Sequence, residues 1–165
     1  MKPTQTPTDI DVAKMAAIID CEGNIRIWAD QKKSSHQLHL TVGNKDFALL
    51  EWCVARFGGK IYNNFSKTPT RALVKRWVIL GRPAADVLTV CLPHFITKRH
   101  QAEIALRFQA TYPNARARIT ESDRQFRESL RDELLRLTRR GPRPANEQAP
   151  RMKPEIQSNL FAKDF

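Results

Sequence analysis

Met15-Ala16-Ala17-Ile18-Ile19-Asp20-Cys21-Glu22-Gly23 decides how the rest of the chain is read. The segment is the end of an apolar helix with small residues on one face. It runs out into two acids, and a glycine then leads into a strand. Upstream, Thr8 suits an N-cap, and Asp9 and Asp11 fall in the first turn, where the helix dipole favours negative charge. The predicted helix ends near Asp20 and is broken by Gly23. Downstream, residues 24–31 alternate, with Ile25, Ile27 and Ala29 on one side and Asn24, Arg26, Trp28 and Asp30 on the other. That is the pattern of a half-buried strand. Carboxylates therefore stand at the mouth of a helix-to-sheet junction. Ala13, Ala16, Ala17 and Asp20 recur at i, i+3, i+4 and i+7, so a second helix can approach this stripe closely. If that helix is its own copy, the contact is isologous. Two Glu22 side chains then meet near the two-fold axis, and carboxylate and backbone oxygens there suit magnesium. On spacing alone, a helix ending in two solvated acids reads equally well.

The pattern continues outward. Residues 36–42 alternate again, with Leu38, Leu40 and Val42 inward and Gln37, His39 and Thr41 outward. Asn44 is placed to cap a second helix carrying Phe47, Leu50, Val54 and Phe57, which Gly58-Gly59 ends. Strands are expected at 60–65 and 72–80, joined by a turn through Lys67-Thr68-Pro69-Thr70. A third helix begins at Gly81-Arg82-Pro83 and stops near Pro93, and a fourth spans about 95–110. A fifth covers 120–139, with Phe126, Leu130, Leu134 and Leu137 as its apolar stripe. Trp52 and Trp77 read as core. The order predicts an α+β domain over 8–140, with a four-stranded antiparallel sheet covered by helices on one face. Residues 1–7 are expected as a flexible arm, and the polar, proline-punctuated 141–165 as an extended or disordered tail.

A length of 165 residues with 41% hydrophobic content suits one domain with a real core. The formal net charge of +11 points to a polyanionic partner. The location of that charge is more informative than its sum. From Gly59 to Ala85 there are six basic residues and no acid. Between Gly23 and Lys45, Asp30 is the one acid against Arg26, Lys32, Lys33 and Lys45. The outward strand positions and turns give the candidate DNA-binding set: Asn24, Arg26, Trp28, Asp30, Lys32, Lys33, Gln37, His39, Thr41, Lys60, Tyr62, Asn64, Lys67, Arg71 and Arg76. Arg, Asn and Gln can pair bidentately with base edges in the major groove, and Lys and Arg in turns suit phosphates. Arg116, Arg118, Arg124, Arg127 and Arg131, opposite the fifth helix's stripe, are candidates for the DNA backbone.

Cys21, Cys53 and Cys91 are isolated, which argues for a reducing compartment and against a disulfide framework or a zinc knuckle. His94 and His100 form no ligand spacing with them. No apolar run reaches the roughly 18 residues of a membrane span. The polar first eleven residues carry no secretory core. An intracellular setting is expected, either a bacterial cytoplasm or an organelle matrix or stroma.

Four ordered segments together resemble the LAGLIDADG homing endonucleases. Met15 to Gly23 is similar to the family's nine-residue signature. Gly43-Asn44-Lys45-Asp46, with Leu49-Leu50-Glu51-Trp52 and Phe57-Gly58-Gly59, resembles the following loop and second helix. Arg76-Trp77-Val78-Ile79 resembles the last strand, and Leu92 to Ala102 the proline-started helix with its basic residue. The resemblance covers about 10–140. It implies an αββαββα fold with a saddle-shaped sheet on the DNA. It also implies a metal-dependent, site-specific endonuclease that cuts both strands of a long, near-palindromic target, using Mg2+ or Mn2+. One motif per chain implies a homodimer with its interface at Ala13, Ala16, Ala17 and Asp20. Position by position, Glu22 matches the metal-binding catalytic acid, though the signature has Asp there. The backbone carbonyl of Cys21 matches a second metal ligand. Asn44 matches a polar residue that orders water at the scissile phosphate. Lys98 matches a basic residue that stabilises developing charge or helps to activate water, and a plain phosphate contact is its alternative. Ala17 stands where the signature has glycine. Alternative readings are an intron-encoded RNA maturase, with its own intron RNA as partner, a cleavage-dead DNA binder of the same fold, and a ribosome-associated RNA-binding protein.

Overall fold

The computed structural model describes residues 3–30, 35–64, 74–112 and 120–138. Helix α1, Asp9–Glu22, starts with a closed capping box. The Thr8 hydroxyl accepts from the Asp11 amide at 3.2 Å, and the Asp11 carboxylate accepts from the Thr8 amide at 2.9 Å. These bonds satisfy two of the donors that a helix start leaves orphaned, and they hold the Asp11 carboxyl below its usual range. The helix runs two residues beyond the predicted Asp20, so Glu22 is its last residue. Gly23 does not break it by unusual dihedrals: its φ is −76°, in the extended region. Space is the constraint. A Cβ on Gly23 would stand 2.6 Å from the Ile19 carbonyl oxygen. Only glycine lets the strand leave this close to the helix's last turn.

Strand β1, Gly23–Asp30, pairs antiparallel with β2, Ser35–Asn44. Helix α2, Phe47–Phe57, leads to β3, Lys60–Asn64, and β4, Val74–Leu80. The sheet order is β1-β2-β4-β3, all antiparallel. Helices α3, Gly81–Cys91, α4, Arg99–Ala110, and α5, Glu121–Thr138, follow, with a 3-10 turn at Leu92–His94 between α3 and α4. The predicted α+β class, the four-stranded antiparallel sheet and the helix-covered face are all present. Among the described residues, no helix is long and apolar enough to cross a membrane.

The alternation read from sequence sets the two faces of the sheet. Ile25, Ile27, Leu38, Leu40, Val42, Trp77 and Ile79 are buried toward the helices, where Met15, Ala16, Ile19, Leu50, Leu88 and Phe108 meet them. Each buried Val, Leu, Ile, Met or Phe side chain among them contributes about 1.5–3 kcal/mol by leaving water. Trp77 also donates its indole N–H to the Gly58 carbonyl at 2.7 Å.

Four local expectations need correction. Asp46, not Asn44, caps α2, accepting from the Ala48 amide at 2.9 Å. Asn44 is the last residue of β2, so its backbone is committed to the ladder. Phe47 is exposed, with the Lys75 ammonium 3.7 Å from its ring centre, and Cys53 joins Leu50 and Phe57 on the buried face. Helix α4 starts at Arg99 rather than near 95, because the preceding backbone is held by a side chain of α1. On α5, Phe126 and Leu137 face solvent while Arg127 is buried beside Leu130 and Leu134. The Arg127 guanidinium lies over the Tyr112 ring at 3.6 Å and donates to the Thr111 hydroxyl at 2.8 Å and its carbonyl at 2.6 Å. Thr4 and Gln5 donate their amides to the Ala55 carbonyl near the end of α2. The 141–165 tail lies outside the described residues.

Candidate nucleic-acid interface

The face of the sheet that no described helix covers is built by register. Trp28 stands opposite Gln37; Arg26, His39 and Leu80 form the next row; Asn24, Thr41, Val78 and Lys60 the next; Gly43, Arg76 and Tyr62 the last. Asn24, Arg26, Trp28, Gln37, Lys60, Tyr62 and Arg76 are exposed, and His39 and Thr41 half-buried. Trp28 and Tyr62 keep about half their surface in solvent, at 46% and 50%. The Trp28 and His39 rings lie 5.9 Å apart, and the His39 imidazole shares a 3.3 Å hydrogen bond with the Gln37 amide oxygen. Burial, and then the Arg26 charge, push His39 below its ordinary value. Val78 and Leu80 were missed as members of this face. Their signal was the alternation of β4, which carries on past Arg76. Asp30 and Asn64 occupy ladder positions opposite Ser35 and Val74. Lys32, Lys33, Lys67 and Arg71 lie outside the described residues.

The acidic junction stands at one end of this face. Gly23 is opposite Val42, so Glu22, one residue earlier, leaves the sheet at the end where β2 passes through Gly43 and Asn44. Glu22 is exposed. Asn44 is half-buried, and its side-chain oxygen accepts from the Asp46 amide at 2.9 Å. Lys98 arrives at the same junction from the far side of the sequence. Its ammonium donates to the carbonyls of Ile19 and Asp20, each at 2.7 Å. A cation at these carbonyls opposes the partial negative charge of a helix C-terminus. Burial moves the Lys98 amine below the usual lysine range, against Asp20, Cys21 and Glu22, which pull it upward. Among the described residues, no group of three or more His, Cys, Asp or Glu side chains converges on one point.

Asp20 does something the spacing did not suggest. Its carboxylate accepts from the Ile96 amide at 2.7 Å, the Lys98 amide at 2.9 Å and the Thr97 hydroxyl at 3.1 Å. Burial works to raise its pKa, but these bonds outweigh it and hold the carboxyl low. On the small-residue stripe, Ala13 and Ala17 are exposed, but Ala16 is buried in the chain's own core. Ala16 therefore cannot face a second copy. The outward row on α1 carries Ile10, Ala13 and Ala17 instead. Arg127 is likewise removed from any DNA-facing role by its burial. Arg124 pairs with Glu121, and Arg131 with Glu128 and Asp132. Arg116 and Arg118 lie outside the described residues.

No protein-family model matches the sequence, and no curated protein matches it. Solved structures do. The homing endonuclease I-CvuI, in complex with its target in the presence of Ca, superposes with a TM-score of 0.64 at 21% identity over 82% of this chain and 87% of that one. The archaeal intron-encoded homing endonuclease I-Vdi141I, complexed with DNA, gives 0.68 at 16% identity over 82% and 88%. The LAGLIDADG meganuclease I-AabMI, bound to uncleaved DNA, gives 0.55 at 23% identity over 73% of this chain and 43% of that one. The fold is that of the LAGLIDADG homing endonucleases. The LAGLIDADG order αββαββα is met here by α1 through α3, with α4 and α5 added beyond it.

Proposed function

We propose that the chain is a site-specific, double-strand DNA endonuclease. It works as a homodimer, hydrolysing phosphodiester bonds in a long, near-palindromic target with Mg2+ or Mn2+ at the dimer axis. The observation that carries the reading is one juxtaposition. An exposed carboxylate, Glu22, ends a helix at the edge of a continuous, exposed face rich in Arg, Lys, Asn and Gln. The fold is one whose solved neighbours are DNA-bound homing endonucleases.

The donors at the junction fit a hard cation, since the Glu22 carboxylate and the Cys21 carbonyl are both oxygen ligands. Among the described residues, one chain supplies too few of them for a full coordination shell, which favours a second copy contributing its own Glu22 across a contact formed by the outward row of α1. The bound metal supplies charge stabilisation for the attacking and leaving oxygens of the phosphate. Lys98 adds positive charge next to Glu22, and Asn44 is the candidate for orienting water. Arg26, Asn24, Gln37 and Arg76 read base edges in the major groove, while Lys60 takes phosphate. Central base steps then matter through their ability to bend rather than through contact.

The test is selection from a randomised-site plasmid library, with sequencing of linearised products, in magnesium and in calcium. Linear product in magnesium from a narrow set of related, near-palindromic sites is expected. Binding with no cutting in magnesium would sink the nuclease and leave a DNA-binding protein of this fold. Preference for folded RNA over duplex would replace the substrate altogether.

A further inference from the structure

We infer that Asp20 is the positioning residue for Lys98. Its carboxylate gathers the 96–98 backbone so that the lysine ammonium lands on the last-turn carbonyls of α1, beside Glu22. The inference rests on the nuclease reading for its consequence, but its geometry stands apart from it.

Three donors from one short segment, the Ile96 amide, the Thr97 hydroxyl and the Lys98 amide, converge on the two oxygens of one side chain. Nothing local replaces them. Lys98 is the N-cap of α4, yet α4 has no side-chain cap bond, and residues 95–98 form no regular element. Ile96 itself is 89% exposed, so the turn gains nothing from burying its apolar side chain. Phe95 anchors the start of the segment in the core, and residues 96–98 beyond it are held by a charge-assisted cluster. From the same residue whose amide Asp20 accepts, the side chain returns to α1 and donates to the Ile19 and Asp20 carbonyls. Backbone and side chain of Lys98 are thus clamped to the two ends of one residue, Asp20, its carboxylate and its carbonyl. A four-carbon side chain has several rotatable bonds and considerable rotamer freedom. Fixing its root removes much of the freedom that would otherwise spread the ammonium over the surface. Outer residues that orient charged groups at a metal site commonly carry about 10–100-fold of its activity.

The experiment is a double-substitution cycle on the full chain, with Asp20→Asn and Lys98→Met. DNA affinity is measured without metal, and single-turnover cleavage with magnesium. Asp20→Asn should slow cleavage by about 10–100-fold with DNA affinity changed less than about twofold. In the Lys98→Met background it should add less than about twofold, because the residue it positions is gone. Independent, multiplicative losses would overturn the inference while leaving the nuclease intact. If Asp20→Asn fails to fold, Thr97→Val removes one of the three donors and should give a smaller loss with the same dependence on Lys98. If the parent chain cuts no DNA, the nuclease reading fails, and the positioning claim is judged by NMR of lysine ammonium groups. A slowly exchanging Lys98 ammonium that vanishes in Asp20→Asn supports it. One that is unchanged, or absent from the parent, overturns it.

Discussion

Two basic regions of this protein look alike in sequence and end differently. The strand segments carry Arg26, Lys60 and Arg76, and the structure leaves them exposed on the sheet face that no described helix covers. Helix α5 carries Arg124, Arg127 and Arg131, and the structure engages all three within the chain. Arg127 is buried on Tyr112 and Thr111, Arg131 is paired with Glu128, and Arg124 with Glu121. The His36 imidazole bonds to the same Glu128, and Tyr112 donates to the His36 carbonyl, so α5 is tied to the start of β2 by the charges it carries. The buried Arg127 helps to hold the fold together. On the sheet face, no described carboxylate or carbonyl pairs with Arg26, Lys60 or Arg76, which leaves them available to a polyanion. Net charge counts both alike.

This difference can be broken by measurement. The largest effect belongs to the junction that ends the exposed face: Glu22→Gln should abolish cleavage and leave DNA affinity nearly unchanged. Surviving cleavage would remove Glu22 as metal ligand. Next, Arg127→Ala should cost about 2–3 kcal/mol of folding stability in urea, since it empties a buried site and orphans the Thr111 carbonyl, with DNA affinity of the remaining folded protein unaltered. Arg76→Ala should do the reverse. It should cost about 1–3 kcal/mol of binding to the selected site and relax specificity at one position, with unfolding unchanged. Uniform weakening across sequences would make Arg76 a phosphate contact, and a shift of the unfolding midpoint would erase the distinction between the regions.

The smallest effect is in pH. His39 titrates below 6.5 in the folded chain because burial, and then Arg26, disfavour its charge. As pH falls below 6.5, the unfolded chain takes up a proton that the folded chain refuses, so stability declines there and is flat with respect to this group above it. His39→Gln should remove that part of the slope in a series of urea melts. The loss from Asp11, Asp20 and Glu128, whose carboxyls are all held low, sets in only near and below pH 4 and should remain.

Much of this was legible because it is local and periodic. The Thr8 cap, the helix through Asp20, Gly23 and the alternation of β1 and β2 all depend on neighbours within a few residues. Where two local choices compete, the sequence misleads. Asn44 and Asp46 both suit a cap, and the choice falls to Asp46 because β2 extends through Asn44. Phe126 and Leu137 suit an apolar stripe, but the surface α5 meets offers the Tyr112 ring and the Thr111 carbonyl, which take an arginine. The role of Asp20 was out of reach, since its partners lie 76 to 78 residues away and two of them are backbone amides that any residue would supply.

Read alone, the chain of residues established the class of fold and the two faces of β1 and β2, because side-chain alternation and helix capping are short-range and carry a fixed period. Packing in three dimensions settled where α1 ends, which charges are used inside the chain and which remain for a partner. It also decided that Asp20 serves a loop and that Ala16 faces inward. Those outcomes depend on what packing brings opposite each group, and a one-dimensional pattern does not contain that.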